Sequence, residues 1–207
     1  MKSAVTQKLQ DGIRQLPLSL PGEADAHLLM YLALLLKWNA AYNLTAVRDP
    51  EQMIVKHLLD SLSIVPYVQE GALIDVGTGA GLPGLVLAMV KPALPVTLLD
   101  SNGKKVRFLR QVIAELGLTN VQAVQARVEA FHHTFAQVSS RAFATLADMV
   151  NGSRQLLADG GEFLAMKGVY PTGEIAALPA GFRVQAVVPL HVPFLDEARH
   201  LVRIVRN

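Results

Sequence analysis

The chain contains no cysteine. That excludes a disulfide scaffold, a thiolate metal site and a cysteine nucleophile, and it accords with a reducing compartment. Charge is scarce: Asp, Glu, Lys and Arg make up 17% of the 207 residues, against roughly 25% in an average globular protein. Hydrophobic residues make up 51%, so disorder is excluded as the main state and a chain of this size buries a sizeable core. Aromatics are few, at 6%, which argues against a broad stacking platform. Long apolar runs are also missing. The longest, Leu28 to Leu36, has nine residues and stops at Lys37, about half of the ~20 that span a bilayer. The opening residues, MKSAVTQKLQDGIRQ, carry no apolar signal core. A soluble, cytoplasmic protein is expected.

What is present divides the chain in two. Net charge is +2. Residues 1–70 hold 6 basic and 7 acidic side chains, and residues 71–207 hold 13 and 10. The first part reads as helices. Leu28, Leu29, Leu32, Leu35 and Leu36 recur at three- and four-residue spacing, the mark of a helix with a wide buried stripe. Asp49-Pro50-Glu51 reads as a helix start with Asp as N-cap, and a second helix is expected over 50–65.

After Glu70 short apolar runs alternate with helical segments. Strands are expected at 72–76, 96–100, 121–124, 138–140, 162–166, 182–190 and 200–205. Helices are expected at 82–90, 102–116 and 149–157, the last stopped by Asp159-Gly160-Gly161. Alternation implies a doubly wound, mostly parallel seven-stranded sheet covered on both faces, with one of the last two strands antiparallel.

The most informative segment is Ile74-Asp-Val-Gly-Thr-Gly-Ala-Gly-Leu-Pro-Gly84, with four glycines in eight residues directly after a buried strand. In open α/β sheets ligands bind outside the carboxyl ends of the strands. Glycines there admit a ligand close to the backbone, or simply supply a tight turn with positive φ. Gly79 to Gly84 matches the dinucleotide fingerprint G-x-G-x-x-G, so a nicotinamide-dependent oxidoreductase is one reading. The register argues against it. The first glycine after the strand is Gly77, and Asp75 precedes it by two, the usual start of the S-adenosylmethionine loop of Rossmann-like methyltransferases. Asp100 ends the second strand, where a carboxylate can accept from ribose hydroxyls or cap the helix ahead of Lys104. Arg127-Val128-Glu129 follows the third strand, where an adenine would lie. Arg141 follows the fourth strand and reads either as a ligand for a carboxylate, base or phosphate, or as a surface ion pair. Lys167 ends the fifth strand, at the cleft mouth or in solvent.

The chain resembles the ribosomal RNA small subunit methyltransferase G family, also called the glucose-inhibited division protein B family. The resemblance lies in Lys37-Trp-Asn39 with Tyr42-Asn-Leu-Thr45, His57-Leu-Leu-Asp-Ser61, Asp75 to Gly84, Leu99-Asp-Ser101 with Lys104-Lys-Val-Arg-Phe-Leu109, Arg127-Val-Glu129, Ser140-Arg-Ala142 and Met166-Lys-Gly168. It implies a Rossmann-like methyltransferase domain over 71–207 with a helical N-terminal extension over 1–70. It also implies S-adenosylmethionine as cofactor, methylating N7 of one guanine in a decoding-region loop of 16S ribosomal RNA. Cofactor positions carried over are Gly77, Leu82, Val128, Glu129 and Arg141; the loop and ribose arguments add Asp75, Gly79 and Asp100. Members often carry an acid two residues before the fourth strand's Val; here that residue is Ala136.

N7 of guanine has a lone pair and no proton, so its attack on a methyl group needs no general base. No catalytic acid, base or nucleophile is therefore expected, and catalysis would rest on placement and electrostatics. No metal site is expected either: His132-His133 has no Asp, Glu or Cys at ligand spacing. For the substrate RNA the candidates are Lys104, Arg107 and Arg110, along one side of a helix, with Arg141 and Lys167 at the cleft. The helix face reads equally as simply solvated. Phe143 is a candidate stacking partner or a buried side chain. The partner expected is 16S RNA in the small ribosomal subunit or an assembly intermediate, met by a monomer without membrane contact. A non-catalytic RNA-binding assembly factor remains as a rival.

Overall fold

The computed structural model describes residues 3–207. Its first part is helical: α1 (Ser3–Arg14), α2 (Ala24–Tyr42), and a helix that changes pitch along its length. That helix begins as α3 (Pro50–Met53), with the Asp49 carboxylate accepting from Gln52 N at 2.8 Å. It widens into a π-helical stretch, Ile54–Leu59, and ends as α4 (Asp60–Leu62). The start signal at Asp49 is where the sequence puts it. The π stretch has no sequence signature; such bulges concentrate at functional sites.

The second part is a seven-stranded sheet: β1 (Leu73–Val76), β2 (Val96–Asp100), β3 (Val121–Gln125), β4 (Phe135–Ser140), β5 (Leu157–Lys167), β6 (Phe182–Pro189) and β7 (His200–Arg206). Their order is β3-β2-β1-β4-β5-β7-β6. β7 alone runs antiparallel, to both β5 and β6. The helices α5 (Gly84–Val90), α6 (Gly103–Glu115), α7 (Leu146–Ser153) and α8 (Thr172–Ala176) lie between the strands in sequence. The chain winds outward from β1 through β2 to β3, then returns to β4 beside β1. That reversal opens a crevice at the carboxyl ends of β1 and β4, the switch point of such sheets.

Central strands β1 and β2 are buried along their whole length, as double coverage requires. One core layer joins Leu28, Leu32 and Leu35 of α2 and Leu58 and Leu59 of the π stretch to Leu73, Leu98 and Leu164 of the sheet. The other packs Met149 and Val150 of α7 on Ile74, Val138 and Phe163. The leading helices therefore share a core with the sheet. Among the described residues no helix is long and apolar enough to cross a membrane.

Several boundaries differ from the sequence expectation, three of them for a visible physical reason or by several residues. α7 begins at Leu146, earlier than 149, because Thr145 Oγ1 caps it by accepting from Asp148 N. β4 begins at Phe135, ahead of 138. Asp159-Gly160-Gly161 does not stop a helix; it lies inside β5. The partner of Phe135 is Leu157, whereas that of Gln137 is Glu162, so the extra residues of β5 bulge out, with Gly160 at φ +73°.

Asn120 fastens the layers, its amide donating to the carbonyls of Ala88, Lys91 and Leu94. Gly81 lies where a side chain is least tolerated. Its φ is +96°, and an added Cβ would collide with Leu85 and lie 2.9 Å from Leu109 Cδ2. Gly81→Ala is expected to destabilise the fold by about 3 kcal/mol, from backbone strain and overpacking together; urea denaturation checks this.

Candidate functional site

The glycine turn is built from β1 upward. Gly77 and Gly79 take φ of +65° and +62°, the left-handed region that favours glycine. An added Cβ on Gly77 would lie 2.7 Å from Ala142 Cβ, so this glycine also lets the β4 loop close against the turn. Beneath it Asp75 is completely buried. One of its oxygens accepts from Thr78 Oγ1 at 2.6 Å and Gly84 N at 2.9 Å; the other accepts from Ser139 Oγ at 3.0 Å. Burial pushes this carboxyl up from its usual range, against the pull of those donors. Asp75, expected at the ligand surface, thus lies under the turn and braces it. Tyr31 of α2 supports the turn from the helical side, its hydroxyl donating to Ala80 O at 2.8 Å. Burial raises that hydroxyl's pKa, which keeps the donor protonated.

Two cavities meet at the turn, and Gly77 and Ala142 line both. The first, of about 390 Å³, receives Gly79, Leu82, Arg141 and Lys167. The second, of about 240 Å³, receives Asp100, Val128, Glu129 and Phe143. The candidate cofactor residues other than Asp75 are therefore brought together around one connected crevice. Asp100 accepts from Gly79 N and Asn102 N, each at 2.9 Å. Asn102, not Asp100, caps α6, accepting from Lys104 N. A carboxylate oxygen can accept a second hydrogen bond, so Asp100 keeps acceptor capacity toward the second cavity. Phe143 is half-buried against the sheet core and also lines that cavity.

The first cavity draws on residues to which the sequence assigned no role. Thr45, Lys56, His57 and Asp60 come from the helical part, and Arg199 and His200 from the start of β7. Because β7 is antiparallel, its first residue pairs with the last residue of β5, His200 with Lys167, and so lies at the same edge as the ends of the parallel strands. Asp60, buried, takes Arg141 Nη1 at 2.7 Å on one oxygen; Arg199 Nε lies 3.3 Å from the other. Arg141 is thus not a surface ion pair: its partner is a buried carboxylate of the helical part, and Arg141 itself lines the cavity. Lys167 is not a free strand end either, donating to Ala144 O and pairing with Glu174, each at 2.8 Å. His57 Nε2 lies 2.9 Å from Thr45 Oγ1.

The Trp38–Thr45 segment explains how Thr45 gets there. Trp38 stacks on Tyr42 and packs on Phe108. Buried Asn39 accepts from Thr45 N at 2.9 Å, and Asn43 ends α2 in the left-handed conformation. On α6, Lys104 and Arg107 are exposed, while the Arg110 guanidinium turns back toward Ala123 O.

His57 gives the site a pH dependence. Burial pushes its pKa below the ordinary histidine value. Between the folded and unfolded values the unfolded chain binds a proton that the folded chain refuses, so stability falls as pH drops below about 6.5. The melting temperature is expected to fall between pH 7.5 and 5.5, and by less in His57→Gln; thermal denaturation at both pH values checks this.

Comparison with known proteins places the chain. The family model described as rRNA small subunit methyltransferase G matches residues 24–202. The Ribosomal RNA small subunit methyltransferase G of Chromobacterium violaceum is 53% identical over 203 residues, 97% of each chain. Among solved structures, a SAM dependent methyltransferase from Aquifex aeolicus superimposes with a TM-score of 0.60 at 17% identity, covering 76% of this chain and 94% of that one. TrmK of M. capricolum, in complex with S-adenosyl-homocysteine, gives 0.57 at 12% identity, covering 71% and 67%. These distant likenesses make the fold that of the Rossmann-like, S-adenosylmethionine-dependent methyltransferases. The family match also removes the oxidoreductase reading of Gly79–Gly84. From its matched length and its close relatives, this chain belongs to the rRNA small subunit methyltransferase G family.

Proposed function

We propose that this protein methylates N7 of one guanine in 16S ribosomal RNA, in a decoding-region loop of the small subunit, using S-adenosylmethionine, in the cytoplasm. The observation that carries this is the crevice at the switch point, where the glycine turn, the Asp100 carboxylate and a chamber lined by cationic side chains share the residues Gly77 and Ala142, within a methyltransferase family. Bound there, S-adenosylmethionine supplies an electrophilic methyl group on a sulfonium.

The residues fit that ligand. Gly77 and Gly79 expose backbone where a side chain would intrude. Asp100 keeps acceptor capacity for ribose hydroxyls, and Val128 and Glu129 line the same second cavity, which we assign to the adenine. Arg141 stands at the first cavity, where an amino-acid carboxylate would meet it. Lys56, Lys167 and Arg199 line the same chamber, each already facing a carboxylate (Glu197, Glu174, and Asp60 with Glu197), so an RNA phosphate would meet them by exchange for those partners. Nothing in the chamber must remove a proton, because N7 carries none. The protein's contribution is alignment and a fixed electrostatic frame, and orientation of this kind is worth on the order of 7–11 kcal/mol of barrier.

Labelled methyl transfer to 16S RNA, offered naked, in an assembling particle and in the mature subunit, followed by mapping of the modified nucleotide, tests this. One N7-methylguanine in the decoding-region loop is expected. RNA binding without transfer would favour the assembly-factor reading.

Lys104 and Arg107 project from α6, next to the strand end that carries Asp100, and Arg107 and Arg110 border a shallow groove with Gln125. We assign them to the RNA backbone. The double change Lys104→Glu, Arg107→Glu is expected to weaken RNA binding and to flatten its dependence on log salt by about 1.5 units, with cofactor affinity unchanged. Filter binding over a salt series measures both.

A further inference from the structure

The helical wall of the first cavity holds polar atoms with nothing to bond. Asp60 Oδ1 and His57 Nδ1, one turn apart, are buried and have no hydrogen-bond partner. Arg199 Nε lies near Asp60 Oδ1, at 3.3 Å, without hydrogen-bond alignment. Buried unpartnered polar atoms of this kind are rare, and each calls for an explanation. The helix is π-wound over Ile54–Leu59, immediately before Asp60, a local distortion that concentrates at functional sites. Among the described residues, Asp60 is the one carboxylate lining this cavity; the charged residues that share it are cationic.

A carboxylate with unused acceptor capacity selects between bases. On the six-membered ring guanine presents two adjacent donors, N1–H and the N2 amino group. Adenine, cytosine and uracil each place an acceptor beside their ring-edge donor. A carboxylate bonds both guanine donors at once and meets an acceptor on any other base. The edge that carries N1 and N2 is not the edge that carries N7, so a base held there keeps N7 free to face a methyl donor. Arg141 pins the other carboxylate oxygen at 2.7 Å, which fixes the plane in which the base would be read.

We propose that Asp60 is the specificity-determining residue for the target base, accepting from N1–H and N2–H of guanine, an inference that rests on the guanine substrate proposed above. The N-terminal helices then select the base, while the sheet edge holds the cofactor. Arg199 Nε is displaced from its unaligned position as the base enters, and Arg141 keeps the carboxylate oriented.

The test compares two 16S RNA fragments, one with guanine and one with inosine at the mapped position. Inosine keeps N7, O6 and N1–H but lacks the N2 amino group. The wild-type protein is expected to methylate the guanine RNA with kcat/KM about tenfold or more above the inosine RNA, the scale of one hydrogen bond to a charged group. In Asp60→Asn that ratio should collapse to within about threefold, whatever loss of overall rate, cofactor affinity or stability follows from weakening the buried pair with Arg141; the ratio within one protein cancels such losses. A wild-type protein indifferent to inosine overturns the proposal, as does an Asp60→Asn protein that keeps the full ratio. If Asp60→Asn transfers too little methyl to measure, equilibrium competition between the two RNAs for each protein reads the same ratio without turnover, and an unchanged preference there also overturns it. Failure of the wild-type protein to methylate any 16S RNA form would instead reject the proposed function, and this inference with it.

Discussion

Everything at the crevice hangs on a carboxylate that no ligand is placed to touch. Asp75 ends inside the glycine turn and receives donors from three places: the turn itself through Thr78, the start of α5 through Gly84, and β4 through Ser139. Burying a charge is costly unless its oxygens are satisfied. Here the cost is offset by donors whose positions define the site. If any of the three moved, an acceptor buried under the turn would lose its partner. The turn is therefore held rigid by a penalty for leaving its designed shape, and the surface above it is free to meet a ligand with bare backbone.

The helical part completes the chamber in the same way, by supplying counter-charges. Asp60 holds Arg141 from β4 and has Arg199 from β7 beside it, and Lys56 reaches Glu197 at 3.0 Å. Exposed ion pairs contribute little to stability, and the Lys56–Glu197 pair is of that kind. Asp60 is not, because it is almost fully enclosed. Its value lies in orientation, fixing the Arg141 guanidinium at the chamber, with Arg199 close by but not hydrogen-bonded. Helices that pack on the sheet through an apolar layer thereby also set the electrostatics of the chamber.

The parts legible in the sequence are those with local signatures. A buried strand running into closely spaced glycines has few physical alternatives, and Gly77, Gly79, Leu82, Asp100, Val128, Glu129 and Arg141 all border one crevice. The alternation of periods located the strands, since each is set by its own residues. The motif makes Asp75 legible but not its place under the turn, because spacing cannot tell a carboxylate that faces a ligand from one that braces a turn. Asp159-Gly160-Gly161 carries the same chemistry as a helix stop and as a β-bulge; only the neighbouring strand decides. Asp60, His57 and Arg199 were not assigned because their role exists only through contacts between distant segments, and because the reversed direction of β7 brings Arg199 to the edge.

The antiparallel course of β7 has a temporal side. Lys56 and Glu197 meet across 141 residues, and Arg199 and His200 at the start of β7 line the first cavity together with Thr45, His57 and Asp60 from the helical part. Contacts of such long sequence separation carry a loop-closure cost that must be met before they reward the chain. The glycine turn, by contrast, is built largely from neighbours in sequence. The refolding chain is therefore able to shape its turn before it owns the chamber beside it.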